Sequence, residues 1–243
     1  MITVDKVSKF FGLSRALNDV SFQIAKGEIV GFLGPNGAGK TTLMRILTGY
    51  FPPSQGKTTI AGYDIVKNPL CAKQSLGYLP ENPPLYPEMS VADYLRYAAQ
   101  LKGLNATTAR SQIDKTLASC DIDSVRNKAI SSLSKGFKQR VGIAQAIIHD
   151  PQVLILDEPT NGLDPLQIIQ VRNLINNLGK EKTVLVSTHI LSEIEQIAHR
   201  VVIISEGKIV ADDSLANMLN GPQGKNNLED TFLRLTASTE PRP

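Results

Sequence analysis

Cysteine is scarce in this chain: of 243 residues only Cys71 and Cys120 carry a thiol, far apart, with no C-x-x-C spacing and no histidine pattern beside them. That excludes a disulfide framework and a structural zinc site, leaving two reduced cysteines of a cytosolic domain. Long apolar runs are missing too, none approaching the roughly 18 residues of a membrane helix. The opening Met1-Ile2-Thr3-Val4-Asp5-Lys6-Val7 alternates like a strand and lacks the charged-then-apolar plan of a signal peptide. Charge of one sign never gathers: 26 basic residues are scattered among 23 acidic ones for a net charge of +3. No direct nucleic-acid contact is expected. The length suits one large domain, or one with a sizeable insertion, and is too short for two nucleotide-binding units.

What the chain does have is Gly34-Pro35-Asn36-Gly37-Ala38-Gly39-Lys40-Thr41, preceded by the apolar run Ile29-Val30-Gly31-Phe32-Leu33 and followed by Thr42-Leu43-Met44-Arg45-Ile46-Leu47. The order is strand, glycine loop, helix, the context in which G-x-x-x-x-G-K-S/T cradles phosphates. Glycines let consecutive N–H groups converge on phosphate oxygens. Lys40 then reaches the β- and γ-phosphates, and the Thr41 hydroxyl is a hard oxygen ligand for Mg²⁺. A nucleoside-triphosphate site follows.

Around that loop the pattern is α/β. Ile2, Val4 and Val7, then Leu17, Val20, Phe22 and Ile24, alternate as antiparallel strands with one buried face. Phe10-Phe11 at the strand end suits a core position, and Phe11, just upstream of the phosphate site, also suits a purine. Helical spacing in Leu43, Ile46 and Leu47 stops at Gly49; short strands are expected at Thr58–Gly62 and Ser75–Leu79. Four prolines between Pro80 and Pro87 break regular structure and read as a hinge. Ser90, with Asp93 three residues on, caps a helix, a second covers about Thr108 to Cys120, and residues 82–150 read as a helical insertion. The core resumes at Val153-Leu154-Ile155-Leu156-Asp157-Glu158 and Thr183-Val184-Leu185-Val186-Ser187-Thr188-His189, unbroken runs of the kind parallel strands bury on both faces. Helices are expected over Ile168–Leu178, Leu191–Ala198 and Leu228–Leu235, and a hairpin over Val201–Val210. Residues 1–220 therefore form one domain, 1–81 and 151–220 its core, and 221–243 a linker, a short helix and a tail.

Asp157, Glu158 and His189 stand at the carboxyl ends of core strands, where open α/β sheets collect ligands. Asp157 suits a Mg²⁺ contact through water, and Glu158 is placed to orient the attacking water or take its proton. Between hinge and acids, Leu133-Ser134-Lys135-Gly136-Phe137-Lys138-Gln139-Arg140 reads as a capped helix start, with Ser134 as N-cap.

In this order and spacing the motifs resemble the ATP-binding subunit of an ABC transporter along nearly the whole chain. Gly34–Thr41 matches the Walker A loop, Val153–Asp157 the Walker B strand, Glu158 the catalytic glutamate, Asn161-Gly162-Leu163-Asp164 the D-loop and His189 the switch histidine. Ser134 and Gly136 match the signature segment, and Phe11 takes the adenine-stacking position. Two positions depart from the usual pattern: Lys135 and Phe137 replace the first Gly and the Gln of Leu-Ser-Gly-Gly-Gln, and Glu81 stands at the Q-loop glutamine. Both variants resemble the branch serving ABC-2-type exporters. The resemblance implies a P-loop ATPase core with an N-terminal antiparallel β subdomain and a helical insertion, acting as an ATP hydrolase. It implies ATP bound by Phe11, Gly34, Pro35, Asn36, Gly37, Ala38, Gly39, Lys40, Thr41, Thr42, Ser134, Gly136 and Asp164, with Mg²⁺ at Thr41, Glu81 and Asp157 and catalysis by Lys40, Glu158 and His189. The partners implied are a second ATP-binding subunit in a head-to-tail dimer, an identical copy or a different ATPase chain, and a separate polytopic membrane permease, at the cytoplasmic face of the cell membrane. The alternative is a soluble ABC ATPase that drives assembly or remodelling.

Overall fold

The computed structural model describes residues 1–219 and 227–237. Of the link expected at residues 223–227, residues 223–226 lie outside the described residues, as does the tail expected at 239–243.

Two sheets share the chain. β1 (Ile2–Phe11) pairs antiparallel with β2 (Ser14–Ile24) and with β4 (Gln55–Ile60), which carries the two-residue β5 (Tyr63–Asp64) at its other edge. The second sheet runs β10-β9-β3-β8-β7-β6, built from β3 (Ile29–Leu33), β6 (Leu76–Leu79), β7 (Val153–Asp157), β8 (Thr183–Ser187), β9 (Arg200–Ser205) and β10 (Lys208–Ser214). All its pairs are parallel except β9–β10, the expected hairpin, which forms one edge.

The unbroken apolar runs have the cause expected of them. Successive strand residues point to opposite faces, and here both faces are covered: Val153 and Ile155 pack toward the antiparallel sheet and α1 (Lys40–Leu47), while Leu154 and Leu156 pack against helices on the other side. Those helices include α3 (Val91–Leu101), α4 (Ala106–Ser119) and α5 (Lys135–Ile147), so residues 82–150 contain no strand beyond a single bridge between Ser90 and Ala129. Ser90 caps α3, accepting from Asp93 N at 3.1 Å and donating to Asp93 Oδ2 at 2.6 Å.

Two short helices escaped the sequence reading, α2 (Pro69–Gln74) and α8 (Leu215–Leu219). Each has too few residues for helical periodicity to declare itself. The helix expected from Ile168 begins earlier, as α6 (Pro165–Gly179), because Asp164 caps it and Pro165 takes its first position. α7 (Leu191–Ile197) and α9 (Leu228–Thr236) stand within a residue or so of expectation. Phe10 and Phe11, suited on sequence to the core, are 38% and 49% exposed. Among the described residues no helix is long and apolar enough to cross a membrane.

Candidate active site

β3 ends at Leu33 and α1 begins at Lys40, so the glycine loop spans the carboxyl end of a central strand and the N-terminus of a helix. Gly39, at φ 107°, turns the chain into α1, and a Cβ there would lie 2.7 Å from Ala16 O of β2. Gly37, at φ 80°, takes a left-handed backbone suited to glycine, with open space where a Cβ would stand. Lys40 is buried and folds back over its own loop, donating from Nζ to Gly34 O at 2.6 Å and Pro35 O at 3.2 Å. Burial lowers the Lys40 ammonium from its ordinary range, opposed by the negative charges of Glu158, Asp157 and Glu81.

The acids come from the neighbouring strands. Asp157, last residue of β7, is buried, and Ser187 Oγ of β8 donates to its Oδ1. Burial pushes the Asp157 carboxyl up, against the Ser187 hydrogen bond and Lys40, with Glu158 and Glu81 adding to the rise. Glu158 takes φ 48°, a left-handed backbone rare for a residue with a side chain, and is held there by bonds from its N–H to Ser187 O at 3.0 Å and Ser187 Oγ at 3.2 Å. Its Oε2 meets His189 Nδ1 at 2.8 Å. Glu81, from the proline hinge, accepts from Asn161 Nδ2 at 3.2 Å.

A cavity of about 450 Å³ gathers these groups, lined by Ala16, Asn36, Gly37, Gly39, Lys40, Thr41, Thr42, Glu81, Asp157, Glu158, Asn161 and His189. It unites ten of the expected site residues, from Asn36 to His189. Gly34, Pro35 and Ala38 do not line it, and the first two turn their carbonyls to Lys40. Phe11 does not line the cavity; its ring meets Phe51 edge-on at 5.6 Å, with Lys9 Nζ 5.3 Å above its face. Ser134, Gly136 and Asp164 also lie outside. Ser134 caps α5 through Phe137 N at 3.4 Å, and Asp164 caps α6 through Gln167 N at 2.9 Å. Phe137, at the unusual signature position, has the Arg140 guanidinium 4.4 Å from its ring centre.

Ala16 and Ser187 were missed as site residues. No motif marks either one; they enter by strand adjacency, which only the sheet order supplies.

The donors fit a hard divalent cation: Thr41 hydroxyl, Asp157 and Glu81 offer oxygen only, and three carboxylates face one ammonium. Among the described residues no three His, Cys, Asp or Glu side chains are placed to hold a metal by themselves. Such a cation would therefore share its coordination with phosphate oxygens and water, as Mg²⁺ does beside nucleotides.

The family model described as ABC transporter matches residues 17–161. The bacitracin transport ATP-binding protein BcrA of Bacillus licheniformis is 39% identical over 214 residues, covering 87% of this chain and 69% of its own. The ABC transporter ATP-binding protein NatA of Bacillus subtilis (strain 168) is 38% identical over 224 residues, 90% of this chain and 91% of its own. A solved structure of an ATP-binding subunit of an ABC transporter superposes with a TM-score of 0.86 at 30% identity, over 97% of this chain and 99% of that one.

Proposed function

The chain belongs to the ABC transporter family as an ATP-binding, ATP-hydrolysing subunit of its ABC-2 exporter branch, and from that premise we propose how the site works and with what it assembles. The observation that carries the reading is the division of the motif residues. One cavity holds Lys40, Thr41, Asp157, Glu158 and His189, while Ser134, Gly136 and Asp164 lie elsewhere on the same chain.

In this reading the loop N–H groups and Lys40 hold the β- and γ-phosphates, Lys40 leaving the carbonyls of Gly34 and Pro35 to do so. Mg²⁺, held by Thr41, Asp157 and Glu81, would neutralise charge on the phosphate oxygens. Glu158 orients the attacking water and takes its proton, and His189, already at Glu158 Oε2, fixes that carboxylate and reaches the γ-phosphate. Phe11 stacks on adenine once its ring leaves Phe51.

Ser134, Gly136 and Asp164 serve the cavity of a second copy, so two chains close head to tail around two ATP molecules. Hydrolysis reopens them, and residues 82–150 with the hinge at Glu81 pass the motion to a separate polytopic permease at the cytoplasmic face of the membrane. An assembly ATPase would share the same cavity; relatives named for transport favour the exporter.

The test is to extract membranes gently in detergent, capture the tagged chain and identify what accompanies it by mass spectrometry. A stoichiometric polytopic protein is expected. Recovery only from the soluble fraction, with scaffold proteins or nucleic acid, would establish the assembly ATPase instead.

A further inference from the structure

Two buried side chains behind the cavity have no part in the chemistry above. Thr160, 3% exposed, follows Glu158 by two residues, and Glu193, 7% exposed, follows His189 by four on α7. Thr160 Oγ1 donates to Glu193 Oε2. Glu193 Oε1 is buried and has no hydrogen-bond partner among the described residues. Burial raises the Glu193 carboxyl above its ordinary range, against the Thr160 hydrogen bond, and the Glu158 charge adds to the rise.

The same two chain segments are thus linked twice. One link, Glu158 to His189 at 2.8 Å, lies in the cavity where nucleotide enters. The other, Thr160 to Glu193, is sealed from it. Glu158 sits between them in a left-handed backbone at φ 48°, held upstream by Ser187 and in need of support downstream.

We infer that Glu193 is a positioning residue: through Thr160 it clasps the root of the D-loop to the helix behind His189 and holds Glu158 and His189 in one register. Thr160 also begins the turn that carries Asn161 into the cavity, with Leu163 N bonded to Thr160 O at 3.2 Å, so the clasp sets the D-loop as well.

The inference rests on the hydrolytic reading of Glu158, and the test separates the two. Thr160→Val keeps the shape and removes the donor; Glu193→Ala removes the acceptor. Both variants are expected to lower kcat by about 10- to 100-fold, the scale of a small misplacement in a catalytic site, while KM for ATP stays within about twofold. Thr160→Ser restores the hydroxyl and with it the rate. The double variant is no slower than the slower single one, because one interaction is lost either way.

If Thr160→Val turns over at the wild-type rate, or if the two losses multiply, the clasp has no role in positioning. Should Glu193→Ala fail to fold, the Val and Ser variants at position 160 decide between these outcomes. Glu158→Gln, measured alongside, tests the underlying reading: normal hydrolysis there sinks the catalytic assignment itself, whereas a dead Glu158→Gln beside a normal Thr160→Val sinks only the clasp.

Discussion

The phosphate cavity and the signature face are built from the same kinds of residue and are left in opposite states. In the cavity, polar side chains from four separate stretches turn toward one another: Lys40 over its loop, Ser187 on Asp157, His189 on Glu158, Asn161 on Glu81. At the signature face, Ser134 and Asp164 turn back on their own helices as N-caps, and Lys135 runs under Gly162, its Nζ 2.1 Å from where a Cβ would stand. The first region holds a pocket with three carboxylates about one ammonium; the second is finished as local structure, with Gly136 packed on the Gln167 side chain. Under the head-to-tail pairing proposed above, a second copy of the chain would bring this rim its ligand.

The sharpest way to break that contrast is at the acid of the cavity. Glu158→Gln keeps the size and the contact to His189 and removes the base. Steady-state hydrolysis is expected to fall by at least about 100-fold, the usual worth of a positioned general base. ATP affinity, read by equilibrium binding, stays near that of the unaltered chain, because the loop and Lys40 are untouched. Wild-type turnover would remove Glu158 from the chemistry and leave the cavity a binding module.

The next prediction places the two regions on different chains. Lys40→Ala empties the cavity of its ammonium, and Ser134→Arg blocks the rim; each alone is expected to be nearly inactive. Mixed in equal amounts, random pairing makes half the dimers mixed, each with one intact site, and roughly a quarter of the wild-type activity returns if the interface is a symmetric head-to-tail pair. No recovery on mixing, with both variants shown to exchange subunits, would mean that rim and cavity of one chain act together.

The two regions also differed in how far the sequence disclosed them. The phosphate loop was legible because a chemical task fixes its residue types at fixed spacing, and the strands were legible because Val153-Leu154-Ile155-Leu156 has both faces to bury. The pairing of Ser187 with Asp157, the entry of Ala16 beside Gly39 and the clasp of Thr160 on Glu193 were not, since each depends on which strand or helix lies next to which. Ser134 was legible in the opposite sense. Its capping role follows from local sequence alone, and nothing local distinguishes an N-cap from an N-cap that also serves another chain. Phe11 shows the same limit, because its exposure at the strand end is set by Phe51, forty positions away.

The far end of α5, the helix that Ser134 caps, yields the smallest effect to be measured. His149, just beyond that helix, has Nε2 3.1 Å from Leu76 O of β6, and its Nδ1 is buried without a hydrogen-bond partner among the described residues. The contact makes Nε2 the donor, so protonation must charge the buried Nδ1. Burial, with Lys102 nearby, lowers the imidazole from 6.5 to about 4. A folded-state value below the unfolded one means that the unfolded chain takes up the proton first. The stability tied to neutral His149 is therefore complete above pH 6.5 and is lost as pH falls from 6.5 toward 4. The loss amounts to about 2 kcal/mol by pH 5 and roughly 3 kcal/mol by pH 4. Urea unfolding of the unaltered chain and of His149→Gln at pH 7 and pH 5 isolates this contribution from the carboxylates, which titrate in both. The difference in stability between the two proteins should shift by about 2 kcal/mol in favour of Gln on going to pH 5. An unchanged difference would show that Nδ1 is solvated in the folded chain and that burial does not hold the imidazole neutral.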